Sequence, residues 1–317
     1  MISQRQQKID WVNKGIPIVS GRLAELQRLG IGKPTVREVY YYLISTKFIS
    51  NTPSLYKSFD RATVNARKNE SLPENCFVDS SRRIIDIDDY YYSPEMYCDH
   101  YADKLKNLDS EYPNTIPRWR NQPHYVEVWV EKDAMAGTLR SILEGTQVRI
   151  VPNRGWSSRT FLNDNIERVK YKQEKEGKIV HVLYLGDLDP SGDRMYDNLL
   201  KDLHKLGLDF DMQKIAVSDQ QVQEYGLEDL QNPDFMTREK LQERESNSEW
   251  FRSKHGGRLF QIELEAMSIQ IERFRDLIMS HVDRYFDERI FKGVLEDPKH
   301  SPRRIRRLVN KKVELGV

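Results

Sequence analysis

VEVWVEKDAMAG (126–137) and YLGDLDPSG (184–192) decide the fold of this 317-residue chain. In each, a strand-like stretch, apolar apart from Glu127 in the first, stops abruptly at acids. Runs of this length, apolar on both faces, are strands of a covered parallel sheet rather than half-exposed ones. VRIVP (148–152) and KIAV (214–217) complete a set of four with VEVWV (126–130) and IVHVLYL (179–185). Helical stretches separate them. Asp133 can cap a helix through Leu143, Ser157 or Ser158 opens one to about Tyr171, and Ser191 opens one through Leu206. Strands alternating with helices predict an α/β fold with a mainly parallel four-stranded sheet.

In such sheets, ligands sit beyond the carboxyl ends of the strands. Glu131 ends the first strand, and Asp187 and Asp189 end the third. Two residues apart in an extended segment, the aspartates face the same way. Three carboxylates at one sheet edge repel unless protonated, paired or bridged by a cation. Hard oxygen ligands suit Mg²⁺. A metal there binds a phosphate oxygen and stabilises charge developing in phosphoryl transfer. Blander readings remain open. DLDPSG is also turn chemistry, with Asp189 or Ser191 capping the next helix. Glu131 is also a natural ion-pair partner for Lys132 or a nearby arginine.

Upstream the pattern is helical. Leu23–Leu29 forms one stretch, Thr35 with Glu38 makes a capping box for another, and Pro53-Ser54 starts a third. Short extended pieces around Phe77-Val78 and Ile84-Ile85 follow. This reads as a helix-turn-helix with a wing, or as a small helical bundle with a basic surface. Lys57, Arg61, Arg67 and Lys68 on helix 54–68 are either duplex contacts or a solvated face. The boundaries that result are 1–88, an acidic connector at 89–122, the sheet unit at 123–235, and a helical C-terminal extension at 236–317.

A net charge of +1 first argues against a nucleic-acid partner, but it is a cancellation. Residues 1–85 carry 14 Lys/Arg and 7 Asp/Glu, residues 86–113 carry 2 and 8, and residues 299–312 carry 7 and none. The tail PRRIRRLVNKK (302–312), with Arg303, Arg304, Arg306 and Arg307, suits phosphate contact or docking on an acidic protein. No apolar stretch approaches membrane length, and MISQRQQKID lacks the apolar core of a secretory signal. Cys76 and Cys98 do not make a disulfide scaffold. A cytoplasmic or nucleoid-associated protein is expected. The histidines show no zinc-ligand spacing with the cysteines, and His255 within SKHGG reads as a loop residue, with lining a site as the alternative.

VEVWVEKDAMAG with YLGDLDPSG resembles the Toprim domain of topoisomerases, primases and related nucleases. The resemblance implies that Glu131, Asp187 and Asp189 bind Mg²⁺. NRGWSS (153–158) resembles the segment after the second Toprim strand, with Arg154 placed to meet a phosphate. TVREVYYYL (35–43) resembles the R-x-x-Y-Y motif of the winged-helix domain in the A subunit of topoisomerase VI and the meiotic double-strand-break transesterase. By motif the nucleophile is Tyr41, with Arg37 one turn before it; the run Tyr40-Tyr41-Tyr42 leaves the register open. IELEAM (262–267) resembles the acidic motif after the Toprim unit, making Glu263 and Glu265 secondary candidates. The resemblance implies Mg²⁺-dependent cleavage of double-stranded DNA with a 5′-phosphotyrosyl link. It also implies a homodimer in which each tyrosine uses its partner's metal site. The chain has no GHKL-type ATPase signature, so strand passage would need a separate ATPase subunit. A Toprim nuclease using metal-activated water and a non-catalytic DNA-binding subunit are the alternatives.

Overall fold

The computed structural model describes residues 9–78, 93–153, 159–205, 210–227 and 248–314. Four parallel strands, β1 (His124–Val130), β2 (Arg149–Pro152), β3 (Ile179–Leu185) and β4 (Asp211–Ala216), form one sheet in the order β2-β1-β3-β4. The two central strands are the two long apolar runs, buried from Tyr125 to Val130 and from Val180 to Leu185. Trp129 and Tyr184 are among the largest fully buried side chains. Each contributes about 1.5–3 kcal/mol or more by leaving water.

Before the sheet lie α1 (Ile16–Arg28), α2 (Val36–Ser45) and α3 (Pro53–Lys68), then α4 (Pro94–Lys106) and α5 (Leu108–Thr115). Within the sheet unit come α6 (Ala136–Ile142), α7 (Arg159–Lys170), α8 (Pro190–Lys205) and α9 (Asp219–Glu224). After it come α10 (Ser248–Lys254), α11 (Ile271–Asp283), α12 (Glu288–Glu296) and α13 (Pro302–Glu314). The first helix begins earlier than Leu23, because Pro17 near its start supplies a helical φ without losing a bonded N–H. Asp133 opens a single 3-10 turn, Asp133–Met135, before α6. Ile84-Ile85, Ser157 and Ser158 lie outside the described residues.

Helices α1–α3 enclose their own apolar cluster, centred on Val19, Leu43, Phe59 and Leu72. The capping box that starts α2 is complete. Thr35 Oγ1 accepts from the Glu38 N–H at 3.1 Å, and Glu38 Oε2 accepts from the Thr35 N–H at 2.6 Å. Glu38 Oε1 also accepts from Thr138 of α6 at 2.5 Å. Across from it, α2 packs on the 3-10 segment Leu264–Gln270. Arg22 is buried and donates to the Ser268 carbonyl, while Arg275 donates to the Leu29 carbonyl at 2.9 Å. These bonds hold the N-terminal helices against the residues that follow the sheet.

The acidic and basic stretches meet. α13 packs on α5, with Arg306 3.0 Å from Asp109 and Tyr112 Oη 2.7 Å from His300 Nδ1. Among the described residues, no helix is long and apolar enough to cross a membrane.

Candidate metal centre

Strand order places the site. The chain passes from β1 to one neighbour, β2, then crosses to the other, β3, so the direction of progress reverses between β1 and β3. Such a reversal leaves a crevice at the carboxyl ends of the two strands. Val130 lies opposite Leu185, which brings Glu131 and Asp187 to that crevice at one level. The Glu131 N–H donates to the Leu185 carbonyl at 2.9 Å, and Glu131 Oε2 accepts from the Asp187 N–H at 3.1 Å. A Cβ on Gly186 would stand 2.7 Å from Glu131 Oε2 and 2.6 Å from the Tyr184 ring. Only glycine allows this close approach. Burial pushes the Glu131 carboxyl up; the Asp187 N–H opposes that, and the Asp189 charge adds to it.

The rest of the site arrives from the far side of the sequence. Leu188 and Ile262 exchange both backbone hydrogen bonds, at 2.9 and 3.0 Å, in an antiparallel bridge. The next residues, Glu263 and Glu265, therefore reach the crevice. The Leu264 N–H donates to Asp187 Oδ1 at 2.8 Å. One carboxylate oxygen from each of Asp187, Glu263 and Glu265 lies within 4.8 Å of the others. Glu265 is 0% exposed, and its Oε1 finds no hydrogen-bond partner among the described residues. An orphaned buried carboxylate oxygen is costly and calls for a cation or a proton.

The cation present is Lys132. Its ammonium lies 2.8 Å from Asp187 Oδ2 and 3.0 Å from Glu265 Oε2, and it also contacts Glu263 Oε2. Burial opposes its charge, yet Asp187, Glu265 and Glu263 hold it firmly protonated. Asp187 is the converse. Burial drives its carboxyl well above the ordinary range, Lys132 opposes this, and Glu263, Glu131 and Glu265 add to it. Lys132 thus partners these three acids rather than the Glu131 beside it in sequence.

The three tyrosines of α2 have three different fates. Tyr40 is core: its hydroxyl donates to the Thr52 carbonyl at 3.0 Å, and its ring packs on Tyr56 and Phe59. Tyr42 lies under the Arg22 guanidinium, 4.7 Å from the ring centre. Tyr41 faces the acid cluster. Lys132 Nζ is 5.9 Å from its ring centre, and Arg37 donates to its hydroxyl at 3.4 Å. Arg37 Nε also stands 3.9 Å from Glu265 Oε1. Burial and the Glu263 charge push the Tyr41 phenol up to about 12, against Arg37 and Lys132. The resemblance implies a tyrosine that meets its partner's metal site across a dimer; here Tyr41 lies beside the acids of its own chain.

Other expected residues fall as follows. Asp189 Oδ1 accepts from the Gly192 N–H at 2.7 Å, the helix-capping geometry of the turn reading. It stands outside the group formed by Asp187, Glu263 and Glu265. Lys57, Arg61 and Lys68 are exposed on α3, whereas Arg67 is half-buried beside Phe77. Arg303, Arg304, Arg306 and Arg307 are exposed on α13. Arg154 lies outside the described residues. His255 lies in the turn that follows α10. Its Nε2 is 2.8 Å from Asp193 Oδ2 and its Nδ1 is 2.5 Å from Asp219 Oδ1. Asp193 also receives Lys214 at 2.6 Å and Lys254 at 3.0 Å. Despite burial, His255, Lys214 and Lys254 hold the Asp193 carboxyl well below the usual carboxylate range.

No match is found. Neither protein-family models, nor curated proteins, nor solved structures match this chain. The four-stranded parallel α/β architecture and the acid-rich crevice therefore carry the functional reading by themselves.

Proposed function

We propose that this chain is a Mg²⁺-dependent DNA-cleaving enzyme with a winged-helix-like N-terminal part and a Toprim-like sheet, as in topoisomerase VI A subunits. The observation that carries the reading is the acid cluster Asp187, Glu263 and Glu265 at the strand switch point, with the Tyr41 phenol beside it. The donors are all carboxylate oxygens, and Glu265 Oε1 is buried without a hydrogen-bond partner among the described residues. That set fits a hard divalent cation. Asp187, Glu263 and Glu265 would hold it, with Glu131 supporting Asp187 through its backbone N–H. Bound Mg²⁺ supplies Lewis-acid stabilisation of charge on a phosphate oxygen.

The remaining work belongs to side chains. Arg37 and Lys132 favour the Tyr41 phenolate and offer positive charge to a backbone phosphate. The phenolic oxygen forms a new bond to phosphorus, and the bond from phosphorus to the 3′-oxygen breaks. The phenol proton is lost to solvent, and the 3′-oxygen leaves as a hydroxyl after taking up a proton. The exposed bases of α3 and α13 suit phosphate contacts along the duplex. A homodimer would cut both strands, and strand passage would draw on a separate ATPase subunit.

A second reading is hydrolysis by metal-activated water, with Tyr41 as a packing residue. Its support is the burial that pushes the Tyr41 phenol up to about 12. One experiment separates the two: supercoiled DNA, Mg²⁺, and the wild-type chain or Tyr41→Phe, quenched with detergent. Protein-linked 5′ ends that vanish in Tyr41→Phe are expected. Free 5′ phosphates, produced equally by both proteins, would transfer the assignment to hydrolysis.

A further inference from the structure

We propose that Lys132 is the built-in occupant of the metal centre, its ammonium holding the cation position until a divalent ion displaces it. The inference rests on the metal reading above and adds a competition to it. An ammonium has three N–H donors and no acceptor. Lys132 meets three carboxylates, Asp187, Glu263 and Glu265, one for each donor. Those are the same three residues whose ligand oxygens lie within 4.8 Å of one another. Ammonium and metal would therefore use the same three carboxylates and cannot share them fully.

The charges do not balance with lysine alone. Three carboxylates face one ammonium, and the Arg37 guanidinium stands 3.9 Å from Glu265 Oε1, beyond hydrogen-bond reach. Glu265 Oε1 is left without a hydrogen-bond partner among the described residues. Lysine therefore keeps the buried acids tolerable without satisfying them, which is the condition for replacement by a doubly charged ion.

Lys132 also has somewhere to go. Its four-carbon stem is flexible and its charge is a point. The Tyr41 ring centre is 5.9 Å from its ammonium. The face of an aromatic ring attracts a displaced cation. Metal entry would then free a positive charge on the side of the site where Tyr41 and a DNA phosphate meet.

Mn²⁺ serves as the probe, its binding to the full chain measured by titration calorimetry. Lys132→Gln should bind Mn²⁺ at least about tenfold more tightly than wild type, because no ammonium must be expelled. Lys132→Arg should bind no more tightly than wild type. Equal or weaker binding by Lys132→Gln overturns the competition. Asp187→Asn serves as the control: if it abolishes binding while Lys132→Gln equals wild type, the metal centre stands and the displacement falls. If neither wild type nor Lys132→Gln binds Mn²⁺, both fall. A second readout needs no variant. Acetic anhydride labelling of Lys132 in the wild-type chain, followed by mass spectrometry, should rise several-fold on adding Mn²⁺. Labelling that stays constant or drops contradicts displacement.

Discussion

Asp187 and Asp193 lie six residues apart, both nearly buried, and Lys214 touches both. Its ammonium donates to the Asp187 carbonyl and to Asp193 Oδ1, each at 2.6 Å. Their electrostatic settings are opposite. Asp193 receives Lys214, Lys254 and His255, and these hold its carboxyl low. Asp187 shares one ammonium with Glu263 and Glu265, and burial drives its carboxyl high. One cluster is neutralised by its own protein. The other retains negative charge that only an added cation or proton removes. Buried acids at one sheet edge are therefore not equivalent, and the ratio of cations to carboxylates separates a structural cluster from a reactive one.

The largest way to break this contrast is Asp187→Asn. Cleavage of supercoiled DNA should fall about a hundredfold or more, the scale for losing electrostatic stabilisation of a transition state. The urea midpoint should be retained, since the neutral side chain removes a poorly tolerated charge. Asp193→Asn should do the reverse. It leaves Lys214, Lys254 and His255 short of their acid and should cost about 3 kcal/mol in urea unfolding. The sign of its pH dependence follows from the low Asp193 carboxyl. Stabilisation is full above the unfolded value near 4 and is lost as pH falls through the folded one. The gap between wild type and Asp193→Asn should narrow as melts are taken below about pH 4. Gly186→Ala sharpens the comparison with a smaller effect. Its Cβ would press on Glu131 Oε2 and on Tyr184. Mn²⁺ affinity should drop about tenfold, as for a disturbed neighbour of a metal ligand.

Much of the sheet was legible. The two central strands are mostly apolar stretches, interrupted by Glu127 and His181, that end in acids, and their ends are what the site uses. The capping box at Thr35 was legible too, because its two hydrogen bonds lie within four residues. The strand ends were less so: β1 begins at His124 and β4 at Asp211, where edge positions are polar and the apolar signal fades. The acid partners of Asp187 were not fixed by spacing. Glu263 and Glu265 reach it through the Leu188–Ile262 bridge, a pairing between distant segments that no local period encodes. The partners of Lys132 were not legible either, because sequence neighbours in extended backbone point to opposite sides. Beside Glu131 in the chain, it reaches the acids on the other side. His255, followed by two glycines, reads as a loop residue until α8 and α9 bring Asp193 and Asp219 to its two nitrogens.

The most direct test of the account is plasmid cleavage by Glu265→Gln, the isosteric change at the one buried carboxylate among the described residues with an orphaned oxygen. With Mg²⁺, the variant should leave supercoiled DNA intact at protein concentrations where wild type linearises it. Cleavage by Glu265→Gln at the wild-type rate would contradict the assignment of this cluster as the reactive centre.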